Sequence, residues 1–311
     1  MVFTNLKPSI PLDLLVSLLP MRYFFIVLLI GLVSGCDSNN QKKAESLIYS
    51  SERNGNTDLY AIDVLGQWER RITTNAEREG FPKWNPAMQQ LIYYSINEDQ
   101  KSLAFSMTIG KSPVDTLPNG DLQNYQLTPD GKKIMYTQVS DGFQHIWWCN
   151  SDGSEQVQLT GTNSDNGDFS ISPSGGQLLF VSDRSGQKEL YLLNLLSNEL
   201  DRLTDNNRIE QYSTWSPDGS KIAYTMRAPE EGSHEDIYIL DLNNGKLTQL
   251  TKTPYAELEI AWSLNGDKIA FHGTTTDGDH IYTIDIADGK FTKITSGDAY
   301  HSEPTWVPGE Y

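Results

Sequence analysis

The chain has 311 residues, with 24 basic and 41 acidic side chains and a net charge of -17. That balance excludes a nucleic-acid binder, which needs clustered Lys and Arg to neutralise phosphates. A hydrophobic fraction of 38% with 10% aromatics excludes a disordered chain, and Gly, Asn and Asp placed between short apolar runs favour strands and turns over long helices.

In chain order the first element is a leader. Arg22 gives a basic start, Tyr23 to Leu32 an apolar core, and Ser34 and Gly35 are small residues before Cys36. This is a secretory layout, and its core is too short for a comfortable membrane span. Residues 1–35 are expected to be a signal peptide, with Met21 as its start and 1–20 an upstream extension. The ending "VSGC" resembles a bacterial lipobox, which implies that Cys36 is lipidated and becomes the mature N-terminus. The alternative is an ordinary signal or short anchor with a chance Cys. Asp37 resembles an inner-membrane retention signal of enteric bacteria. Residues 36–46 are polar and read as a lipidated tether. Cys149 then has no disulfide partner, and its place in "HIWWCN" favours a buried, inert thiol.

From Leu47 onward one phrase recurs: "KWNPAMQQLIYYS", "YQLTPDGKKIMYT", "FSISPSGGQLLFVS", "TWSPDGSKIAYT", "AWSLNGDKIAFHG" and a terminal "TWVPGEY". Its anchors are Trp84, Leu127, Ile171, Trp215, Trp262 and Trp306, spaced by 43, 44, 44, 47 and 44 residues. So steady a period marks a repeat architecture. Each unit has an anchor strand, a turn such as "SPDG", a second strand such as "KIAYT", a third such as "DIYILD", and a short fourth ending in "QLT", "RLT" or "KIT". Pro217 presets φ for the turn and Gly219 accepts positive φ, so "SPDG" reads as a hairpin turn. Four strands in roughly 44 residues is one propeller blade. The first unit, "LIYSS" onward, lacks an anchor strand, and the chain ends on an unattached one. The expected fold is therefore all-β: residues 47–311 form a six-bladed β-propeller of four-stranded antiparallel blades. The C-terminal strand closes the ring on the N-terminal blade. Blade two is the weakest copy, because "NPAMQQ" lacks the turn Gly and its fourth strand is poorly defined.

The phrase "WSPDG-x-x-IA-[YF]", followed by "DIY" and "LT", resembles the repeat of the TolB-like β-propeller family, and is similar to blades of prolyl oligopeptidase relatives. The resemblance covers Leu47 to Tyr311. It implies the propeller fold and a cell-envelope setting, since TolB is the periplasmic partner of the Pal lipoprotein. TolB carries an α/β domain before its propeller, and no segment here is expected to form one. The chain reads as a stand-alone lipoprotein relative, and no functional residue is carried over.

Motifs of catalysis are not found. There is no G-x-S-x-G, CxxC, HExxH or glycine-rich phosphate loop. Of the five histidines, His145 and His280 share a repeat position, while His234, His272 and His301 stand singly. Arg53 in "SERNG" and Arg184 in "SDRSG" are expected to pair with nearby carboxylates. One constellation stands out. The positions three and five residues before the anchors carry Glu79, Asp168, Glu210, Glu257, Glu259 and Glu303. Six carboxylates on the segments that cross to the channel mouth would make an acidic funnel, attracting basic groups or a cation. The plainer reading is solvated loop ends on an acidic protein.

The expected function is a lipid-anchored, periplasm-facing scaffold that binds an envelope protein or polysaccharide, with no catalysis. A monomer is expected, touching the membrane only through its lipid. No cofactor is expected, although the funnel has the donor type for a divalent cation such as calcium. The alternative is a carbohydrate-active or metal-assisted enzyme with its site in the central channel. Such an enzyme needs basic groups to hold an anionic substrate, where this chain offers carboxylates. The longer blade-five loop from Arg227 to Asp236 is a further candidate for recognition.

Overall fold

The structure, a computed structural model, describes residues 45–99, 101–111, 115–116, 123–161 and 163–309. Cys36 and the expected leader lie outside the described residues, as does most of the tether. Residues 44–311 form one compact unit. Its first strand begins at Glu45, two residues before the expected Leu47.

Among the described residues, 24 strands make six four-stranded antiparallel sheets. Blade one holds β1 (Glu45–Arg53), β2 (Asn56–Asp63) and β3 (Glu69–Arg71). Blade two runs through β4 (Arg78–Asn85), β5 (Gln90–Ile96), β6 (Ser102–Met107) and β7 (Asp115–Thr116). Blade three has β8 (Gln123–Leu127), β9 (Lys133–Ser140), β10 (Phe143–Asn150) and β11 (Val157–Gln158). Blade four has β12 (Asn166–Ile171), β13 (Gln177–Ser182), β14 (Glu189–Asn194) and β15 (Leu200–Arg202). Blade five has β16 (Ile209–Trp215), β17 (Lys221–Arg227), β18 (Asp236–Asp241) and β19 (Leu247–Gln249). Blade six has β20 (Ala256–Trp262), β21 (Lys268–Thr275), β22 (Gly278–Asp285) and β23 (Phe291–Lys293). The last strand, β24 (Tyr300–Pro308), pairs antiparallel with β1, placing Trp306 opposite Leu47, and so supplies blade one with its inner strand. The ring closes as the two incomplete ends of the sequence require.

The repeated letters of the sequence have physical jobs. The aromatic of each second strand faces an aromatic of the third across the ladder. Tyr224 lies opposite Tyr238 and Phe271 opposite Tyr282, with ring centroids 6.1 and 5.6 Å apart. Such pairs are the stabilising unit of a sheet. The Thr of "LT" takes a third-strand N–H. Thr73, Thr160, Thr204, Thr251 and Thr295 accept from Leu59, Ile146, Leu190, Ile237 and Ile281 at 2.7–2.9 Å. The hydroxyl pins the end of the outer strand where the ladder stops. The outer strands β3, β15, β19 and β23 are exposed and three residues long, which limits pairing with other chains.

The anchors fill the seams between blades. Trp215 packs with Leu179, Val181, Ile222 and Tyr224, and its indole N–H donates to the Ser170 carbonyl of blade four. Trp262 and Trp306 repeat this contact with the Thr214 and Ala261 carbonyls. Below them, Gly219 turns at φ +71°, and a Cβ there would lie 3.7 Å from Pro173 of the preceding turn. The turns at Gly175 and Gly266 meet Pro129 and Pro217 of their preceding turns in the same way.

Candidate functional site

The site originates in an irregularity shared by all six inner strands. In β16, Gln211 pairs with Thr225 and Thr214 with Ala223, so Tyr212 and Ser213 together oppose Tyr224. This is a β-bulge, and the other inner strands shift register at the same place. The residue three before each anchor takes a left-handed conformation: Phe81, Asn124, Asp168, Tyr212, Glu259 and Glu303 have φ between 45° and 57°. For non-glycine residues that costs roughly 1–3 kcal/mol each. The bulge turns these side chains into the central channel, where all six line a cavity of about 210 Å³.

Three of the six hold the ring together. Asp168 accepts the Tyr212 N–H of the next blade. Glu259 accepts the Glu303 N–H at 2.8 Å, and Glu303 accepts the Phe81 N–H at 2.6 Å and the Ser50 hydroxyl at 2.6 Å. Each carboxylate satisfies the N–H that its neighbour's bulge removes from the ladder. Gly80 makes room for this: a Cβ there would come 2.9 Å from Glu303 Oε2. Burial pushes the Asp168 carboxyl up to about 6. Burial, followed by the charge of Glu259, pushes Glu303 up to about 7.

The other three expected funnel residues are not in the channel. Glu79, Glu210 and Glu257 are at most 1% exposed. Counting by twos along a regular strand puts positions three and five before the anchor on one face. The bulge adds a residue, so position five moves to the face of the tryptophan, between blades. Glu210, opposite Met226, accepts from Asn206 at 2.6 Å. Glu257 accepts from Thr251 at 2.8 Å and Thr253 at 2.5 Å, and Glu79 from Asn75 at 2.5 Å. They anchor the segments that lead from one blade into the next. Burial raises the pKa of all three, Glu210 and Glu257 to about 7. The single six-carboxylate funnel is corrected to a three-carboxylate channel ring and a separate buried set.

His301 occupies the same buried position in blade one, with 0% exposure and neither ring nitrogen hydrogen-bonded to a side chain. It packs edge-on to Tyr49 at 5.5 Å and lies 5.7 Å from His280. Burial, then the charge of Arg53, pushes it down to about 4. His145 and His280 are equivalent, as their spacing implied, and both precede a residue whose N–H meets the "LT" threonine. His272 lies between Glu259, 3.3 Å from Nδ1, and Asp279, 3.1 Å from Nε2. Burial alone would lower its pKa, but these carboxylates outweigh burial and hold it above the usual value. Arg53 pairs with Glu69 at 2.7 Å as expected. Among the described residues Arg184 pairs with no carboxylate: it donates to Asn166 Oδ1 at 2.6 Å and stacks on Phe180 and Tyr191. Cys149 is free and buried.

Sequence reasoning passed over Lys83, Tyr94, Phe169 and Ser170, which also line the channel. Lys83 and Ser170 sit one residue before the anchor, a position that the repeat alignment contains. Tyr94 lies on a second strand, where nothing in the repeat marks it. Phe81 is 47% exposed at the mouth, and Tyr300, 45% exposed, packs against His272. Among the described residues no three His, Cys, Asp or Glu side chains are placed to hold a metal ion.

Fold and channel define the class: a six-bladed β-propeller of TolB-like architecture. The solved TolB of Acinetobacter baumannii is similar over 85% of this chain and 67% of its own, with 20% identity and a TM-score of 0.72. An oligogalacturonate lyase solved with manganese is similar over 81% of this chain and 74% of its own, at 15% identity and TM-score 0.56. A puromycin-hydrolyzing peptidase of Mycobacterium tuberculosis matches over 80% of this chain and 44% of its own, at 13% identity and TM-score 0.56. In sequence, residues 111–214 and 172–260 match the family described as Dipeptidyl peptidase IV (DPP IV) N-terminal region. No curated protein matches the chain. At these identities the likeness is one of fold.

Proposed function

We propose that this chain is a cell-envelope binding scaffold, held to a membrane by lipid on Cys36, that captures an envelope protein or polysaccharide at its channel mouth without catalysis. The observation that carries the reading is the channel ring: Asp168, Glu259 and Glu303 converge on one cavity whose rim carries the exposed ring of Phe81. Like charges gathered on one cavity, with desolvation raising the pKa of Asp168 and Glu303, are costly in the free protein, and a partner of opposite charge relieves them. An exposed aromatic beside them supplies contact area. The TolB-like fold is in keeping with a scaffold and with an envelope setting, and the leader with export.

The test is capture from envelope extract at low and high salt, comparing the parent with the double variant Asp168→Asn, Glu259→Gln. Both replacements keep an oxygen for the neighbouring N–H, so the ring is expected to survive. Capture should weaken, and its salt dependence should flatten. Equal recovery of every partner at both salts would remove the channel mouth as the binding face and leave the loop from Arg227 to Asp236. For the anchor, Cys36→Ser should release the protein from the membrane fraction; retention as firm as the parent's would exclude lipidation.

A further inference from the structure

We propose that a groove between blades one and two is a binding site for a phosphate group. The groove has a volume of about 350 Å³ and shares no lining residue with the channel. Arg70 enters it from the outer strand of blade one, and Lys111 from the turn after β6 of blade two. On a chain of net charge -17, these two cations face a groove that no carboxylate lines. Neither side chain has a hydrogen bond or ion pair among the described residues, whereas the adjacent Arg71 is tied to Asp58 at 2.7 Å. The fold does not require a cation at Arg70, which lies opposite Ala61 in the ladder. The same place in blades three to six holds Val157, Asp201, Thr248 and Thr292.

The groove wall carries an independent sign. Tyr93 lines it and is only 2% exposed. Its hydroxyl has no hydrogen-bond partner among the described residues, yet it is not sealed from solvent as those of Tyr125 and Tyr136 are. A buried hydroxyl is rarely left so, and a ligand in the groove would complete it. Burial, followed by the charge of Glu79, pushes the phenol up to about 12, so it remains a donor at neutral pH. Thr74 adds a second hydroxyl at the exposed rim. A tetrahedral oxyanion accepts donors from every side, as a guanidinium, an ammonium and two hydroxyls from two blades supply them. A carboxylate accepts in one plane and would leave some of these donors unused. Ile72 and Met107 give the groove an apolar side, which the organic substituent of a phosphate ester would cover. Glu79 opposes an anion here, but burial raises its pKa and so favours its uncharged form.

Titration calorimetry of the purified chain with inorganic phosphate at neutral pH tests this. Saturable binding is expected, with a Kd of about 1 mM for so small an ion. Arg70→Gln and Lys111→Gln should each weaken it about tenfold. Tyr93→Phe should weaken it severalfold with an unchanged Tm, because that hydroxyl holds nothing in the free protein. Acetate should bind about tenfold more weakly than phosphate. Lys290→Gln, which removes another exposed lysine without an ion pair among the described residues, should change nothing. Vesicles of phosphatidylcholine with and without phosphatidic acid distinguish the source of the phosphate, using the Cys36→Ser chain so that no acyl group contributes. Retention on phosphatidic acid that Arg70→Gln abolishes would identify a lipid headgroup, and phosphate binding without such retention a soluble phosphate. The proposal is overturned if neither inorganic phosphate nor phosphatidic acid is bound, if acetate binds as tightly, or if Arg70→Gln, Lys111→Gln and Tyr93→Phe leave binding unchanged.

Discussion

At the scale of single residues, Glu303 shows how one side chain serves both fold and site. Its Oε2 joins the last strand to Ser50 and Phe81, and the residue lines the channel cavity. Gly80 is the enabling neighbour. Gly80→Ala would set a methyl 2.9 Å from Glu303 Oε2, and Gly80 φ is not left-handed, so contact alone decides the effect. We expect a loss of about 1–2 kcal/mol from the displaced hydrogen bonds, read by chemical denaturation; an unchanged midpoint would mean that Glu303 shifts freely. Trp215→Ala should cost more, roughly 3–5 kcal/mol, because a side chain only 6% exposed leaves a cavity in the seam. A cost under about 1 kcal/mol would show that the seam collapses around it.

At the scale of elements, the inner strand explains what could be read from the sequence and what could not. The 44-residue spacing, the "SPDG" turns and the aromatic-rich second and third strands were all legible, because turn chemistry and period-2 alternation are local. The bulge was not. It requires a left-handed Phe81, Tyr212 or Glu259, residue types that do not advertise positive φ. Without it, Glu79, Glu210 and Glu257 fall on the channel face by counting, whereas they belong to the seam. The sequence still held a hint: Asn166 and His301 share that position, and an unlikely mixture of Glu, Asn and His suits a buried polar site better than a solvated rim. The same substitution pattern gives a test. His301→Asn places in blade one the residue blade four already uses, where Asn166 meets Arg184 at 2.6 Å. Arg53 should then have an amide within its blade, and the variant should fold with stability equal to or above the parent's at neutral pH. A clear loss would mean that His301 makes contacts Asn cannot replace.

For the whole molecule, closure and titration are the properties to measure. Deleting Glu303 to Tyr311 removes most of β24, exposing a face of β1 and the packing around Trp306. The cooperative unfolding transition should be lost, and its survival would contradict ring closure. The buried acids set the pH dependence. Asp168 near 6 and Glu210, Glu257 and Glu303 near 7 all lie above their unfolded values. Their contribution is full below about pH 4 and is lost as pH rises through 6 to 7. His301, held near 4, acts in the opposite sense: its contribution is full above about pH 6.5 and is lost as pH falls towards 4. Stability should therefore peak in mildly acidic solution. From about pH 5.5 to about pH 8.5 the Tm should fall by several degrees. Glu210→Gln with Glu257→Gln should reduce that fall, and an identical fall in the variant would show that these groups do not govern it.

Site-specific photocrosslinking in intact cells reports whether the partner sits on the channel mouth. A photo-reactive phenylalanine analogue would replace Phe81, 47% exposed at the mouth, or Leu196, 93% exposed on the turn between β14 and β15 at the opposite ends of the strands. One discrete adduct is expected from position 81, diminished by Asp168→Asn with Glu259→Gln, and none from position 196. Adducts from position 196 alone, or an adduct from position 81 that the double variant leaves unchanged, would contradict that placement.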